Sequence, residues 1–292
     1  KVQSMHPKSQ SPLGTLGVLV HEGAATMSDE LVQLHVDNGV AQVVLNRPEK
    51  MNSFTGEMHI LLRETLARVE ANTAIRALVL TGAGRGFCAG QDLADEAVRF
   101  TPGEAPPDLG DVVRTYYAPL VMQLSRMRVP TIAAVNGVAA GAGASLAMAC
   151  DLVVASETAS FVIPFAKIGL IPDTGASWHL PRAVGQARAL GLAMTGGKLG
   201  AKQAADWGLI WEAVSPDKFE AHVSALAQTL ALMPTQALVK TREAMRASAT
   251  QPLEAHLGLE AEMMSELGRS ADYVEGVRAF MEKRPPQFGA AT

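Results

Sequence analysis

The sequence has few of the residues that mark secreted, metal-binding or nucleic-acid-binding proteins. Only two of its 292 residues are cysteine, too few for a disulfide framework, and this favours a cytoplasmic protein. The seven histidines show no metal-ligand spacing, so we expect no metal site. The formal net charge is −4 and no basic block is present, which argues against nucleic acid as a partner. No apolar run reaches the length of a membrane span, which argues against a membrane partner.

The composition suits a compact protein with a large core. Hydrophobic residues make up 48% of the sequence and charged residues 18%, and a chain of this length buries roughly three quarters of its unfolded surface. Residues 1–26 are predicted to be a disordered leader or an expression remnant. Their apolar run Leu16–Val20 is short for a signal peptide and is followed by His21 and Glu22, so Met27 fits as the natural start.

Strands and helices alternate along residues 27–215, which predicts an α/β fold with a buried, mostly parallel sheet. Helical apolar spacing covers Thr55–Glu70 and Val112–Met127, and residues 94–111 are predicted to form a surface loop. The strands are predicted at Val40–Leu45, Ala77–Leu80, Ile132–Val135, Leu152–Ala155 and Leu209–Val214.

The pattern changes at about Pro216, after which no strand is predicted. Pro234 and Pro252 stand where helices are expected to start. We expect this helical region, residues 216–292, to pack on the core or on another subunit. Its four helices are predicted at Pro216–Leu232, Thr235–Ser248, Leu253–Leu267 and Ala271–Glu282.

Two glycine-rich turns each follow a predicted strand. The first is TGAGRGFCAGQDL, residues 81–93, and the second lies within Ile132–Asp151 before an apolar helix. Backbone N–H groups at such a helix start are unpaired and carry the positive end of the helix dipole, so they can stabilise a negative oxygen. The alternative is that each turn only reverses the chain. The glycines of the first turn do not fit the dinucleotide-binding pattern, and MTGGKLG (194–200) does not fit a P-loop.

Five segments together resemble the crotonase (enoyl-CoA hydratase/isomerase) superfamily. The resemblance implies a spiral of ββα repeats, residues 27–215, that binds acyl-CoA, and a C-terminal helical trimerisation region, residues 216–292. It also implies an acyl-CoA thioester as substrate, a homotrimer or dimer of trimers, and no cofactor, since coenzyme A enters as part of the substrate. The segments are NRPEKMNSF (46–54), GRGFCAGQDL (84–93), AAVNGVAAGAGASLAMACD (133–151), GLIPDTG (169–175) and RPPQF (284–288).

The resemblance also assigns residues to the site. The N–H groups of Ala89 and Ala142 are implied as the donors that hold the thioester oxygen. Arg47 and Lys50 lie in a loop that approaches the adenine and phosphates of coenzyme A, where positive charge suits phosphate. Phe280 and Lys283 match a region that reaches the coenzyme A of a neighbouring subunit. The other substrate-binding residues implied are Gly90, Gln91, Asp92, Leu93, Gly141, Ser145 and Phe165.

The carboxylates distinguish the reactions within the superfamily. Ser145 and Phe165 stand where hydratases carry two glutamates, and adding water requires both a base for the water and an acid for carbon. Asp173 remains as a single acid–base candidate, and a double-bond shift requires only one. Apolar neighbours are expected to raise its pKa by desolvation: Ile163, Phe165, Ile168, Leu170 and Ile171. The alternative role for Asp173 is to cap a helix that starts near Gly175.

These observations favour an acyl-CoA isomerase. The segments GLIPDTGASWHLPR, GAGAS and AMTGGKLGAKQAADWGLIWEAV are similar to the bacterial phenylacetate-pathway isomerases. Those enzymes convert ring-1,2-epoxyphenylacetyl-CoA to oxepin-CoA and shift enoyl-CoA double bonds. Three alternatives stay open: an enoyl-CoA hydratase, a catalytically weak acyl-CoA-binding homologue, and a thioesterase with Ser145 as nucleophile. The last requires Ser145 at a sharp turn after a strand, whereas its position predicts a helix.

Overall fold

The structure, a computed structural model, describes residues 31–289. The predicted leader, residues 1–26, lies outside the described residues. The strands are β1 (Val32–Asp37), β2 (Val40–Leu45), β3 (Ala77–Gly82), β4 (Gly86–Cys88), β5 (Thr131–Val135), β6 (Val138–Ala140), β7 (Leu152–Ser156), β8 (Ser160–Val162), β9 (Lys198–Gly200) and β10 (Glu212–Val214).

The α-helices fall into a core set and a C-terminal set. The core set is α1 (Gly56–Ala71), α2 (Leu109–Val112), α3 (Ala118–Ser125), α4 (Ala142–Ala149), α5 (Ala176–Val184), α6 (Gln186–Thr195) and α7 (Ala201–Asp206). A π-helical turn, Val113–Tyr117, joins α2 to α3 without a break. The C-terminal set is α8 (Phe219–Leu232), α9 (Thr235–Ala247), α10 (Leu253–Leu267) and α11 (Ala271–Glu282).

The strands form two sheets that the chain visits in turn. The larger sheet has the order β1-β2-β3-β5-β7-β10, and all its pairs are parallel except β1–β2. Asn38 and Gly39 join β1 to β2 with positive φ angles of 47° and 78°, as a two-residue Asn-Gly hairpin requires. The smaller sheet has the order β4-β6-β8-β9. Successive pairs β3–β4, β5–β6 and β7–β8 each place one strand in each sheet before a helix, which is a spiral of ββα units.

The larger sheet agrees with the sequence prediction except for β1, which was not predicted, and none of the smaller sheet was predicted. The bounds of β2, α10 and α11 are those predicted, while the last strand covers only Glu212–Val214 of the predicted Leu209–Val214. Each strand of the smaller sheet has three residues, too few for alternating or continuous apolar patterning to be recognised. Among residues 31–289, no helix is both long and apolar enough to cross a membrane.

The C-terminal helices differ in how they contact the core. Phe219, Val223 and Ala227 of α8 pack on the outer face of the larger sheet, against residues such as Ile132 and Val154. By contrast, α10 has no buried residue and α11 buries only Ala279. Helices α10 and α11 therefore leave most of their apolar side chains exposed in the single chain.

Two arginines of α9 attach it to the core through one carboxylate. Arg242 donates to Asp151 Oδ2 at 3.0 Å and Arg246 to Asp151 Oδ1 at 3.1 Å, and Asp151 Oδ2 also accepts from the backbone N–H of Thr131 at 2.9 Å. The Arg242 side chain is almost fully buried and donates to the carbonyls of Val129 and Met127 as well. Because Asp151 directly follows α4, this cluster connects the C-terminal region to the helix that carries the second glycine turn.

We expect Asp151→Asn to lower the free energy of unfolding by about 3–5 kcal/mol, because a buried arginine loses its countercharge. Asp111→Asn is the matched control: its partner Arg114 is exposed, so that change should leave stability unaltered. Both are measured by urea denaturation at one protein concentration. Equal stability of the two variants would contradict the structural role given to this cluster.

Candidate active site

The second glycine turn lies between β6 and α4 and is packed directly against β4. Gly141 precedes α4 with φ of 53°, and its own N–H donates to Val162 O at 2.9 Å. Every residue of α4 is buried. A Cβ atom on Gly143 would lie 2.2 Å from the carbonyl oxygen of Cys88, so only glycine lets the start of α4 approach β4 this closely.

The first glycine turn is held by two asparagine side chains. The Asn52 amide donates to the carbonyls of Ala83, Gly86 and Phe87 at 2.9–3.2 Å. Asn136 donates to the carbonyls of Gly82 and Gly84, each at 2.9 Å. Both asparagines belong to segments that carry the family resemblance, Asn52 to NRPEKMNSF and Asn136 to the segment that begins AAVNG. Their role is to satisfy carbonyl groups of a turn that cannot pair them itself.

The two turns meet at Gly90. It has φ of 95°, and a Cβ atom there would lie 2.9 Å from Ala140 O and 3.3 Å from Ala142 N. The backbone after β4 therefore passes in contact with the backbone that starts α4. The convergence expected from the sequence is present in the structure, and it depends on glycine at this point.

One of the two predicted donors has to be corrected. The N–H of Ala89 donates to Met51 O at 2.9 Å, so it is already used. Where the two turns meet, the N–H groups of Gln91 and Ala142 have no hydrogen-bond partner within residues 31–289. Ala142 opens α4, so its N–H also carries the positive end of the helix dipole. Sequence reasoning placed Gln91 among the binding residues, but the hydrogen bond from Ala89 to Met51 was not visible in the sequence.

Asp173 lies in the loop between β8 and α5, and its carboxylate does not cap the helix. Its Oδ1 accepts from Thr174 Oγ1 at 2.9 Å, whereas the cap residue of α5 is Gly175 and no side chain bonds to the helix start. The main-chain oxygen of Asp173, not its side chain, accepts from Ala176 N at 2.8 Å. The capping alternative is therefore wrong. Desolvation by burial raises the pKa of Asp173, with Thr174 opposing the shift.

Tyr117 connects Asp173 to the first turn. Its hydroxyl group donates to Gln91 Oε1 at 2.6 Å. Burial raises the pKa of Tyr117 well above its ordinary value, and the charges of Cys88 and Asp173 raise it further. Tyr117 therefore contacts Gln91 directly and lies within the electrostatic reach of Asp173.

The apolar surroundings of Asp173 are only partly those predicted. Ile163 and Phe165 are buried, but Ile168, Leu170 and Ile171 are exposed, Ile171 by 78%. Phe165 is close to the second turn, with its Cζ atom 3.8 Å from the position of a Cβ on Gly141. An aromatic ring thus occupies the place where the resemblance implies a glutamate in hydratases.

Ser145 does not have the geometry of a nucleophile. It lies inside α4, is fully buried, and its hydroxyl group donates to Gly141 O at 3.1 Å. A hydrolase serine requires a sharp turn directly after a strand and a neighbouring base. The structure therefore does not support the thioesterase alternative.

The residues implied for binding coenzyme A differ in whether other protein groups already hold their side chains. Arg47 is largely committed, because its Nη1 lies 2.7 Å from Asp92 Oδ2 and also donates to Ser53 O. The pKa of Asp92 is lowered by the backbone N–H of Ala94 and then by Arg47. Lys50 is exposed and lies near Asp92. Arg47 thus has a structural partner in Asp92, and the phosphate roles of Arg47 and Lys50 both stay predictions.

Phe280 and Lys283 lie at the end of α11, away from any packed core. Phe280 is 82% exposed and borders a cavity of about 710 Å³ between α9, α10 and α11, together with Tyr273 and Val277. Lys283 is the exposed residue that ends α11. Leu93, in the first turn, is also largely exposed. Roles for these three residues in substrate binding stay predictions.

A profile of the enoyl-CoA hydratase/isomerase family matches residues 35–291. The chain belongs to this family. Its fold is the crotonase fold, as the solved structures confirm: a putative enoyl-CoA hydratase/isomerase from Mycobacterium abscessus superposes with a TM-score of 0.83 at 36% identity, over 89% of this chain and 100% of that one. An enoyl-CoA hydratase from Bacillus anthracis gives a TM-score of 0.81 at 28% identity, over 90% and 100% of the two chains.

Two similar relatives carry different names. The chain is 50% identical over 259 residues to the 1,2-epoxyphenylacetyl-CoA isomerase of Escherichia coli (strain K12), covering 89% of this chain and 98% of the relative. It is 46% identical over 262 residues to a probable enoyl-CoA hydratase of Rhodobacter capsulatus, covering 90% and 99%. The chain is therefore a crotonase-superfamily isomerase or hydratase of acyl-CoA thioesters, and its similarity to these two relatives leaves the choice of reaction open.

The contact at Gly90 predicts that Gly90→Ala separates the two turns. We expect Gly90→Ala to lower the free energy of unfolding by about 1–3 kcal/mol more than Gly103→Ala, because it adds overpacking to backbone strain. Gly103 is the matched control, since its φ is 91° and nothing lies within 4 Å of a Cβ there. Thermal unfolding and acyl-CoA binding are measured for both. Normal acyl-CoA binding by Gly90→Ala would mean that the contact does not shape the site.

Proposed function

We propose that the protein is an acyl-CoA isomerase that moves a double bond through an enolate. The observations that carry this proposal are one half-buried carboxylate, Asp173, and two unpaired N–H groups, those of Gln91 and Ala142, where the two turns meet. The two positions that hold glutamates in hydratases are here Ser145 and Phe165, neither of which exchanges protons near neutral pH. The site therefore has one acid–base group and a place for one negative oxygen.

The chemistry follows from these groups. The thioester carbonyl oxygen accepts from the Gln91 and Ala142 N–H groups, which stabilise the negative charge that develops when Cα loses a proton. The Asp173 carboxylate takes that proton from C2 of a 3-enoyl thioester, giving a dienolate. The protonated Asp173 returns the proton to C4, and the double bond is left between C2 and C3. Atoms and charge balance without water or a cofactor.

The finer substrate class rests on similarity. The Escherichia coli relative is named for 1,2-epoxyphenylacetyl-CoA, which supports an aromatic ring-epoxide thioester as the substrate of this chain as well. Such a rearrangement likewise needs stabilisation of the thioester oxygen and no added water. The second candidate is an enoyl-CoA hydratase, which the name of the Rhodobacter capsulatus relative supports. A weak acyl-CoA-binding homologue is the third.

The purified protein incubated with a 3-enoyl-CoA tests these candidates directly. Chromatography and mass spectrometry of a product with unchanged mass and a shifted double bond support the isomerase. A product heavier by one water identifies a hydratase and overturns the interpretation of the carboxylates. Tight binding without turnover of 3-enoyl-CoA or of the ring-epoxide thioester identifies a binding protein.

We expect Asp173→Asn to reduce isomerisation by ~10²–10⁴-fold while thioester binding persists, because the amide cannot take up the proton. The measurements are kcat from initial rates and Kd from titration with a saturated acyl-CoA. Stability should not fall, since the variant removes a charge that burial disfavours. Turnover at the wild-type rate would remove Asp173 from the mechanism.

The pH profile gives the same proposal a second check. Asp173 must be ionised to accept a proton, so kcat/KM should fall as pH decreases through its pKa, which desolvation raises above the usual carboxyl value. His179 also titrates in acid, because burial and then Arg246 and Arg182 lower its pKa to about 4. The variant His179→Gln should keep the acidic limb if that limb belongs to Asp173, and loss of the limb would reassign it.

We also propose a homotrimer or dimer of trimers, supported by the exposed apolar faces of α10 and α11. Val277→Glu on α11 should shift the protein toward monomer, because an ionised side chain is costly to bury in an interface. Ile60→Glu, at an exposed site on α1, is the control. Size-exclusion chromatography with light scattering measures both, and a monomeric wild type would contradict the proposal.

A further inference from the structure

We propose that Tyr117 is a positioning residue, whose hydroxyl group holds Gln91 so that the Gln91 N–H faces the thioester oxygen. The inference rests on the isomerase function proposed above, because it deepens the role of the Gln91 donor. Tyr117 itself is 2% exposed, and its contact is with the Gln91 side chain at 2.6 Å. It therefore acts through Gln91 and not on the substrate.

The backbone around Gln91 is fixed on both sides by one residue. The N–H of Phe54 donates to Gly90 O at 2.7 Å, and the N–H of Asp92 donates to Phe54 O at 2.9 Å. Gln91 is the residue between these two bonds, paired with Phe54 in an isolated parallel bridge. In such a bridge the N–H of the central residue points away from the partner strand. That orientation explains why the Gln91 N–H is left for a ligand.

These two backbone hydrogen bonds still allow Gln91 to rotate about the line that joins the two bonds. Its side chain removes that freedom only if the amide is held, and the Tyr117 hydroxyl group holds it. The bond is short and partly buried, and the raised pKa of Tyr117 keeps its hydroxyl group protonated as a donor. Opening it would leave polar groups unsatisfied where water has little access, so the bond restrains the Gln91 amide.

Tyr117 is in turn fixed by an aromatic cluster. Its ring meets the His59 ring edge-on, with centroids 4.4 Å apart, and the Phe54 ring edge-on at 6.2 Å. His59 is stacked between Phe54 at 4.5 Å and Tyr116 at 5.2 Å, and burial lowers its pKa to about 4, so it is a neutral ring. The π-helical turn, Val113–Tyr117, brings two consecutive tyrosines onto this one histidine.

The cluster also explains why the hydroxyl group of Tyr117, and not that of Tyr116, matters. Tyr116 stacks on His59, but its hydroxyl group has no hydrogen-bond partner within residues 31–289. Both tyrosines lie in the same π-helical turn, both contact His59 and both carry a phenol hydroxyl group. Only Tyr117 donates a hydrogen bond to Gln91. Tyr116→Phe is therefore the matched control for Tyr117→Phe.

The test combines kinetics with vibrational spectroscopy. Tyr117→Phe should lower kcat for 3-enoyl-CoA by up to about 100-fold, with little change in KM, because a misplaced donor loses transition-state charge stabilisation. Gln91→Met keeps the backbone N–H but removes the acceptor Oε1. If Tyr117 acts through Gln91, the double variant should be no slower than the slower single variant. Tyr116→Phe should match the wild type.

Infrared difference spectra of bound [1-¹³C]phenylacetyl-CoA provide a readout that a merely structural role does not move. The wild type should shift the carbonyl stretch to lower frequency, Tyr117→Phe should lose most of that shift, and Tyr116→Phe should keep it. An unchanged shift in a folded Tyr117→Phe overturns the proposal, as do additive kinetic effects of the two single variants.

The two proposals fail in different ways. If the wild type binds phenylacetyl-CoA and shifts its carbonyl stretch but isomerises no thioester, the isomerase function is wrong while Tyr117 is still tested by the infrared shift. If the wild type isomerises 3-enoyl-CoA and Tyr117→Phe does so at the same rate, only the positioning role is wrong.

Discussion

The site depends on the contact between two glycine-containing backbone segments. Gly90 lies against the carbonyl of Ala140 and the N–H of Ala142, and Gly143 lies against the carbonyl of Cys88. No residue with a side chain fits at either point without moving backbone atoms. Each segment follows a strand of the smaller sheet, so the parallel pairing of β4 and β6 determines where the unpaired N–H groups meet. The spiral of ββα units is thus what brings together donors that are 51 residues apart, Gln91 and Ala142.

In the proposed reaction, two N–H donors stabilise the negative oxygen and one carboxylate transfers the proton. The donors need not change during the reaction, since they are held by β-pairing at Gln91 and by helix geometry at Ala142. In the proposed mechanism Asp173 must change its protonation state, and its half-buried position raises its pKa because the ionised form is disfavoured. The hydrogen bond from Thr174 favours the ionised form and opposes this shift.

The sequence predicted the long elements and the location of the site, and the structure corrects its details. Val40–Leu45, Ala77–Leu80 and the four C-terminal helices could be predicted because apolar periodicity extends over several residues. The three-residue strands β4 and β6 could not, because so few residues show no pattern. The error at Ala89 has a different cause. Its N–H is consumed by Met51, a residue 38 positions earlier whose proximity depends on the fold. The ion pair of Arg47 with Asp92 was not predicted for the same reason, since Asp92 becomes its partner only when two loops meet.

Phe165 bears on the choice of reaction through the space that its ring fills as well as through its lack of charge. Its ring lies next to Gly141 at the start of α4 and is buried, so it fills space on the second-turn side of the site. A water molecule poised for addition needs polar partners there, and an aromatic edge supplies none. Ser145 does not supply one either, because its hydroxyl group is turned back to Gly141 inside α4. In the isomerase mechanism proposed above, a site without support for water on that side leaves the substrate as the acceptor of the proton, and this is how the proposed isomerisation differs physically from hydration.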